Sequence, residues 1–241
     1  MKRNLVAVYL VLLHGLLALV LWKSDFLTRL RQKVGGETAD PTRTAHYSNM
    51  RTYQMRMDGS VPDGSVVFVG DSLVQSLCTD AVISPSVNFG IGGDTTAGVL
   101  GRISGYQSLR KARAVVLAVG FNDLKSRTDR ELIANYREIL RKLPPGLPVV
   151  VSAILPVHEE LYRKHASVTN GRIRAINEEL AKLCAERPER VFVDTGKLLA
   201  GPDGNLSTAM QVGDGVHLNS DGYRIWIEAL KTGIASGRSG R

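Results

Sequence analysis

The stretch VVFVGDSLVQSL, residues 66–77, decides how the rest of the chain is read. Three valines and a phenylalanine run without interruption into Gly70-Asp71-Ser72, and a helix-like pattern follows. A short, continuous, Val-rich run bounded by glycine is the signature of a strand buried on both faces. Ser72 therefore stands where a strand turns into a helix. Two readings are open there. Serine and aspartate are favoured helix caps, and a serine at the carboxyl edge of a sheet is also well placed to be a nucleophile.

Working outward, four more runs have the same character: VNF (87–89), VVLAV (115–119), VVVSAI (149–154) and VFV (191–193). Amphipathic stretches separate them. TDRELIANYREILRKL opens with Thr128 and Glu131 at capping-box spacing and puts Leu132, Ile133, Tyr136, Ile139, Leu140 and Leu143 on one face. RIRAINEELAKLC does the same with Ile173, Ile176, Leu180 and Leu183, and SDGYRIWIEALK can begin a helix at Ser220. Strands alternating with helices predict right-handed βαβ units. The fold class expected is α/β, a three-layer, doubly wound, five-stranded parallel sheet. No internal repeat is visible.

The N-terminus reads differently. Lys2 and Arg3 precede 18 residues, Leu5–Trp22, without a formal charge. As a helix these span about 27 Å, just enough for a bilayer core, and Trp22 sits where an interfacial aromatic belongs. The expectation is an N-terminal transmembrane helix acting as an uncleaved signal anchor over 1–33, with a cleaved signal peptide as the rival. Residues 34–60, containing Gly35-Gly36 and Pro41, read as a linker with one helix around Ala45–Met57. The main domain is expected over 61–232, with a disordered tail at 233–241. Of the formal net charge of +8, residues 1–59 hold +5, so the excess sits beside the apolar run, where anionic headgroups would attract it. The Lys/Arg flanks lean toward a cytoplasmic C-terminal domain. A short N-terminal anchor more often exports its domain, and the extracytoplasmic (periplasmic) side is the expectation. Membrane lipid is an expected partner, and nucleic acid is not, since no zinc-finger or RNA-binding aromatic signature appears. Cys78 and Cys184 lack metal or C-x-x-C spacing and read as two small buried hydrophobes, with a disulfide left open.

In a parallel sheet, function gathers at the carboxyl ends of the strands. The second run is followed by NFGIGGDTT, whose Gly90, Gly92 and Gly93 allow close backbone approach. The third is followed by Gly120-Phe121-Asn122-Asp123, which offers a side-chain amide. Near the C-terminus Asp214 precedes His217 by three residues, a spacing at which the carboxylate can hold one imidazole nitrogen and leave the other free. Each feature alone is satisfied by a turn, a cap or a surface pair. Together they supply what acyl transfer needs: nucleophile, base, orienter and preorganised N–H donors. A rival reading gathers Asp71, Asp94, Asp123, Asp214 and His217 around a divalent metal for phosphoester hydrolysis.

The four blocks, Gly70-Asp71-Ser72, the Gly93 region, Gly120-x-Asn122-Asp123 and Asp214-x-x-His217, resemble the SGNH hydrolases, also called GDSL esterases and lipases. The resemblance covers about residues 66–230. VFVGDSLVQ, NFGIGGD and the stretch ILPVHEELYRKHASVTNGRIRAINEELA look like the platelet-activating-factor acetylhydrolase catalytic subunits of the intracellular brain type. It implies a flavodoxin-like SGNH hydrolase fold and Ser72 as nucleophile. His217 would be general base and then acid, and Asp214 would orient it. The Ser72 and Gly93 backbone N–H groups and the Asn122 amide would form an oxyanion hole. It implies an ester substrate and no metal or cofactor. Two departures from those subunits bear on the natural substrate: Asn-Asp where they carry Asn-Asn, and the N-terminal apolar run. The Gly-x-Ser-x-Gly elbow of ordinary α/β-hydrolases is not matched, because Val74 stands at the second glycine. Hydrolysis of lysophospholipid, acetyl or glycan-acyl esters, and acyl transfer to an envelope polysaccharide, all remain open at this point.

Overall fold

A computed structural model describes residues 2–23, 42, 44–163 and 165–237. Two compact units divide the chain, Met1–Asp40 and Pro41–Arg241, and each is described by itself.

In the first unit the described residues form one helix, α1 (Lys2–Lys23), whose side chains from Val6 to Val20 are exposed. The expected transmembrane helix is not carried by the structure: among the described residues no helix is long and apolar enough to cross a membrane. The remainder of the expected 1–33 segment, Met1 and residues 24–33, lies outside the described residues.

The second unit holds the sheet. Strands β1 (Val66–Gly70), β2 (Ser86–Gly90), β3 (Ala114–Ala118), β4 (Val149–Ser152) and β5 (Arg190–Val193) pair in the order β2-β1-β3-β4-β5, and every pairing is parallel. All five expected strands are present. Alternate residues serve opposite faces, as the period-2 pleat requires. Val67, Val69, Val115, Leu117 and Val151 face one core, while Val66, Phe68, Val116 and Val150 face the other.

The first face is covered by α5 (Thr96–Arg102), α6 (Asp129–Lys142) and α7 (Asn170–Ala185). Helix α6 starts in the expected capping box, Thr128 with Glu131, and buries Leu132, Tyr136, Ile139 and Leu140; Ile133 is only partly buried. Helix α7 buries Ile173, Ile176, Leu180 and Leu183 as its spacing predicts. The second face carries the short helices α3 (Ser72–Gln75), α4 (Thr79–Val82) and α8 (Gly196–Leu199), and the long α9 (Ser220–Ser236). Trp226 of α9 is buried in this core and donates its indole N–H to Ser152 Oγ at 3.0 Å, which satisfies the one polar atom such a residue brings inside.

Two boundaries differ from those expected. Helix α2 (Ala45–Asp58), expected within a linker, belongs to the compact unit. Gln54 and Asp58 are buried on it and bond to Gly90 and Ser108. Helix α9 continues through residues expected to be disordered, because Gly233 packs against Val193 and Ile234 is buried in the second core; only 238–241 lie outside the described residues. Of the two cysteines, Cys184 is buried as expected, Cys78 is exposed, and both are free thiols.

Candidate active site

Two glycines decide how α3 leaves β1. A Cβ on Gly70 would lie 2.1 Å from the Ala118 carbonyl oxygen, and one on Gly90 would lie 2.2 Å from the Gln75 nitrogen. Only glycine permits that approach, so the turn after β1 can fold tightly over the carboxyl ends of β2 and β3. Asp71, not Ser72, caps the helix: its Oδ1 accepts the Leu73 N–H at 3.0 Å. Ser72 is the first helical residue, and its side chain is left for another partner.

That partner is His217. Ser72 Oγ and His217 Nε2 lie 2.9 Å apart, and His217 Nδ1 lies 2.5 Å from Asp214 Oδ2. The other carboxylate oxygen of Asp214 accepts the backbone N–H groups of Val216 and His217, each at 2.9 Å. Burial by itself would raise the Asp214 pKa; the bonds from the His217 side chain and from these backbone groups outweigh it and hold the carboxyl below its ordinary range. A carboxylate on Nδ1 fixes the imidazole tautomer that leaves the Nε2 lone pair facing Ser72. The loop carrying both residues is closed by a Gln211–Leu218 bridge and by the Val212 N–H on the His217 carbonyl. Gln211 Oε1 accepts the N–H groups of Gly213 and Gly215.

The candidate N–H donors come from three other loops. Among the described residues, neither the Ser72 nor the Gly93 N–H donates to a protein acceptor. Gly93 has φ +81°, which a side chain would resist, and Gln75 Oε1 holds the neighbouring Gly92 N–H. The Asn122 Nδ2 donates to the Asp94 carbonyl at 2.9 Å, which leaves its second hydrogen available.

Beneath these loops lies a buried polar network that sequence reasoning missed. Arg102 and Asp94, both fully buried, pair at 2.8 Å. Arg102 also donates to Tyr106 Oη at 2.6 Å and to the Gly70 carbonyl at 3.1 Å. Tyr106 Oη donates to Gln54 Oε1, and Gln54 Nε2 donates to the Gly90 carbonyl. One cation thus ties together the last carbonyls of β1 and β2. Asp123 accepts the Thr96 N–H at 2.9 Å and hydroxyl at 2.6 Å, which locks the turn after β3 to the start of α5. Burial pushes Asp71 up to about 7 and Asp94 up to about 6, the latter against the opposing pull of Arg102, and it raises Asp123 as well.

These commitments bear on the metal reading. Asp71 is spent on a cap, Asp94 on Arg102 and Asp123 on Thr96. No group of three or more such side chains among the described residues is arranged to hold a metal ion.

The model of the GDSL-like Lipase/Acylhydrolase family matches residues 57–225, a span that contains all four loops just described. The chain belongs to that family. It is accordingly a carboxylic ester hydrolase by kinship. It is 32% identical over 183 residues to platelet-activating factor acetylhydrolase IB subunit alpha1 of Rattus norvegicus, covering 72% of this chain and 76% of that one. The fold is shared with an acetylxylan esterase of Geobacillus stearothermophilus (TM-score 0.57, 17% identity, 71% of this chain and 95% of that one). It is shared also with the catalytic domain of peptidoglycan O-acetyltransferase A of Streptococcus pneumoniae (TM-score 0.56, 15% identity, 73% and 96%).

Proposed function

We propose that this member of the GDSL family is a serine esterase working through Ser72, His217 and Asp214. The observation that carries the reading is the unbroken chain Ser72 Oγ–His217 Nε2 at 2.9 Å and His217 Nδ1–Asp214 Oδ2 at 2.5 Å. Nε2 takes the hydroxyl proton as Oγ attacks the acyl carbonyl, and Asp214 stabilises the imidazolium that forms. The oxyanion is received by the Ser72 N–H, the Gly93 N–H and the second Nδ2 hydrogen of Asn122. His217 gives its proton to the leaving alkoxide. It then draws a proton from water, which cleaves the acyl-serine and regenerates Ser72. The substrate class we favour is a small-acyl ester of a lipid or glycan, in keeping with the acetyl chemistry of the relatives.

Ester panels differing separately in acyl length and in alcohol test this, with Ser72→Ala as control. We expect acyl release from short-chain esters, stoichiometric labelling of Ser72 by a serine-directed phosphonate, and loss of both in the variant. Turnover persisting in Ser72→Ala would end the proposal. Acyl transfer to an envelope polysaccharide is the second reading, favoured by the N-terminal apolar run beside a basic flank. Label reaching a glycan acceptor faster than water would select it. The same run, Leu5–Trp22, supports attachment of the chain at a membrane; the extracytoplasmic side we propose for the enzyme unit follows the tendency of a short N-terminal anchor to export its domain, against the lean of the Lys/Arg flanks. Recovery of the full chain in the alkaline-washed membrane fraction, with the enzyme unit open to protease added outside, is the expected result, and recovery in the soluble fraction is the opposite one.

A further inference from the structure

The site contains a cation that neither the family motifs nor the sequence spacing marks. Lys125 closes the one-turn 3-10 helix Asn122–Lys125, and its Nζ donates to Asn122 Oδ1 at 2.7 Å. Two aromatic rings hold the ammonium there. Nζ lies 4.8 Å from the Phe121 ring centroid and 6.0 Å from that of Tyr162, and the two rings meet edge to face at 5.4 Å. Both distances are within the range of cation–π attraction.

The Asn122 carboxamide is therefore gripped at both ends. Its nitrogen donates to the Asp94 carbonyl and its oxygen accepts from Lys125. A flipped amide would set oxygen against the Asp94 carbonyl and NH2 against the ammonium, so only one orientation satisfies both neighbours. In that orientation the second Nδ2 hydrogen is the one left for the oxyanion in the reading given above. A hydrogen bond from a cation is also charge-assisted. It draws electron density from Oδ1, strengthens the remaining N–H as a donor, and adds positive potential where negative charge develops.

We infer that Lys125 is a positioning residue of the oxyanion hole, acting on the transition state through Asn122. The inference rests on the reading of Asn122 given above. No proton or bond changes hands at Lys125.

The test is a double-mutant cycle in the full chain with p-nitrophenyl acetate, a neutral ester that gives an ammonium no anion to bind. Lys125→Met keeps the apolar stem and removes the charge. We expect it to lower kcat about tenfold with KM within about twofold of the parent, and Lys125→Arg to recover most of the loss. In an Asn122→Ala background, itself about 10²–10³ slower in kcat, Lys125→Met should cost less than about twofold more. Lys125→Gln repeats the cycle if the methionine variant is poorly folded by circular dichroism. A full tenfold loss persisting without Asn122, a change confined to KM, or no loss at all would overturn the inference while leaving the Asn122 reading intact. Full turnover in folded Asn122→Ala would remove Asn122 from the hole, and the inference with it.

Discussion

The two halves of the site are built in opposite ways. On one side, the loops carrying Ser72, Gly93 and Asn122 rest on Arg102, Asp94, Asp123, Tyr106 and Gln54, all buried. On the other, His217 and Asp214 keep 42% and 46% of their side-chain surface in solvent, on a loop fixed by its own short-range bonds. The buried half couples position to stability, because its polar groups have no water to fall back on. The exposed half can be altered without disturbing the core. The arrangement that results is a buried platform for the proposed donors and a separable loop for the proposed base.

The largest effect should come from the exposed half. His217→Ala should lower kcat by at least about 10⁴-fold while leaving urea-unfolding stability within about 0.5 kcal/mol. A stability loss above about 2 kcal/mol would break the contrast. The buried half should respond the other way. Arg102→Met leaves Asp94 as an uncompensated buried carboxylate, and removing one partner of such a pair costs about 3–5 kcal/mol. Chemical denaturation of this variant with a midpoint unchanged from the parent would show that the network is not under tension with the fold.

The smallest effect sharpens the comparison through pH. Burial holds the proton on Asp71 up to about pH 7, whereas an unfolded aspartate releases it near 3.8. Between those values the unfolded chain binds fewer protons than the folded one, so this group's contribution to stability is full at low pH and is lost as pH rises through about 7. Asp71→Asn keeps an oxygen for the Leu73 N–H and cannot ionise. It should gain about 1–3 kcal/mol on the parent at pH 8 and nothing near pH 4. Parallel stability-versus-pH curves for the two proteins would place the Asp71 titration elsewhere. Asp94, raised to about 6, adds a slope of the same sign in both.

Much of this was legible in the residues. Five apolar runs became five parallel strands, because continuous valine-rich segments have no other way to bury both faces. The capping box at Thr128 and the Asp214-x-x-His217 spacing are local patterns, and local geometry follows from local sequence. The Arg102–Asp94 pair left only a weak trace: eight residues separate them, and the tyrosine and glutamine that complete the network lie on other elements. The N-terminal helix shows the converse. Its apolar run is plain in the sequence, yet the described residues hold no helix sufficient to cross a membrane.

What the sequence by itself determined was the five strands of a parallel sheet, the helices that alternate with them and the residue types gathered at its carboxyl edge. These depend on periodicity and on glycines whose absent side chains let Gly70 and Gly90 lie against neighbouring backbone. Only the tertiary structure decided that Asp71 rather than Ser72 is the cap, that Asp94 and Asp123 are spent on Arg102 and Thr96, and that Lys125 grips Asn122. Each of these is a choice among partners of similar chemistry, made by sub-ångström placement of elements distant in the chain. A one-dimensional pattern does not encode which of several satisfied hydrogen-bonding arrangements the packed core will enforce.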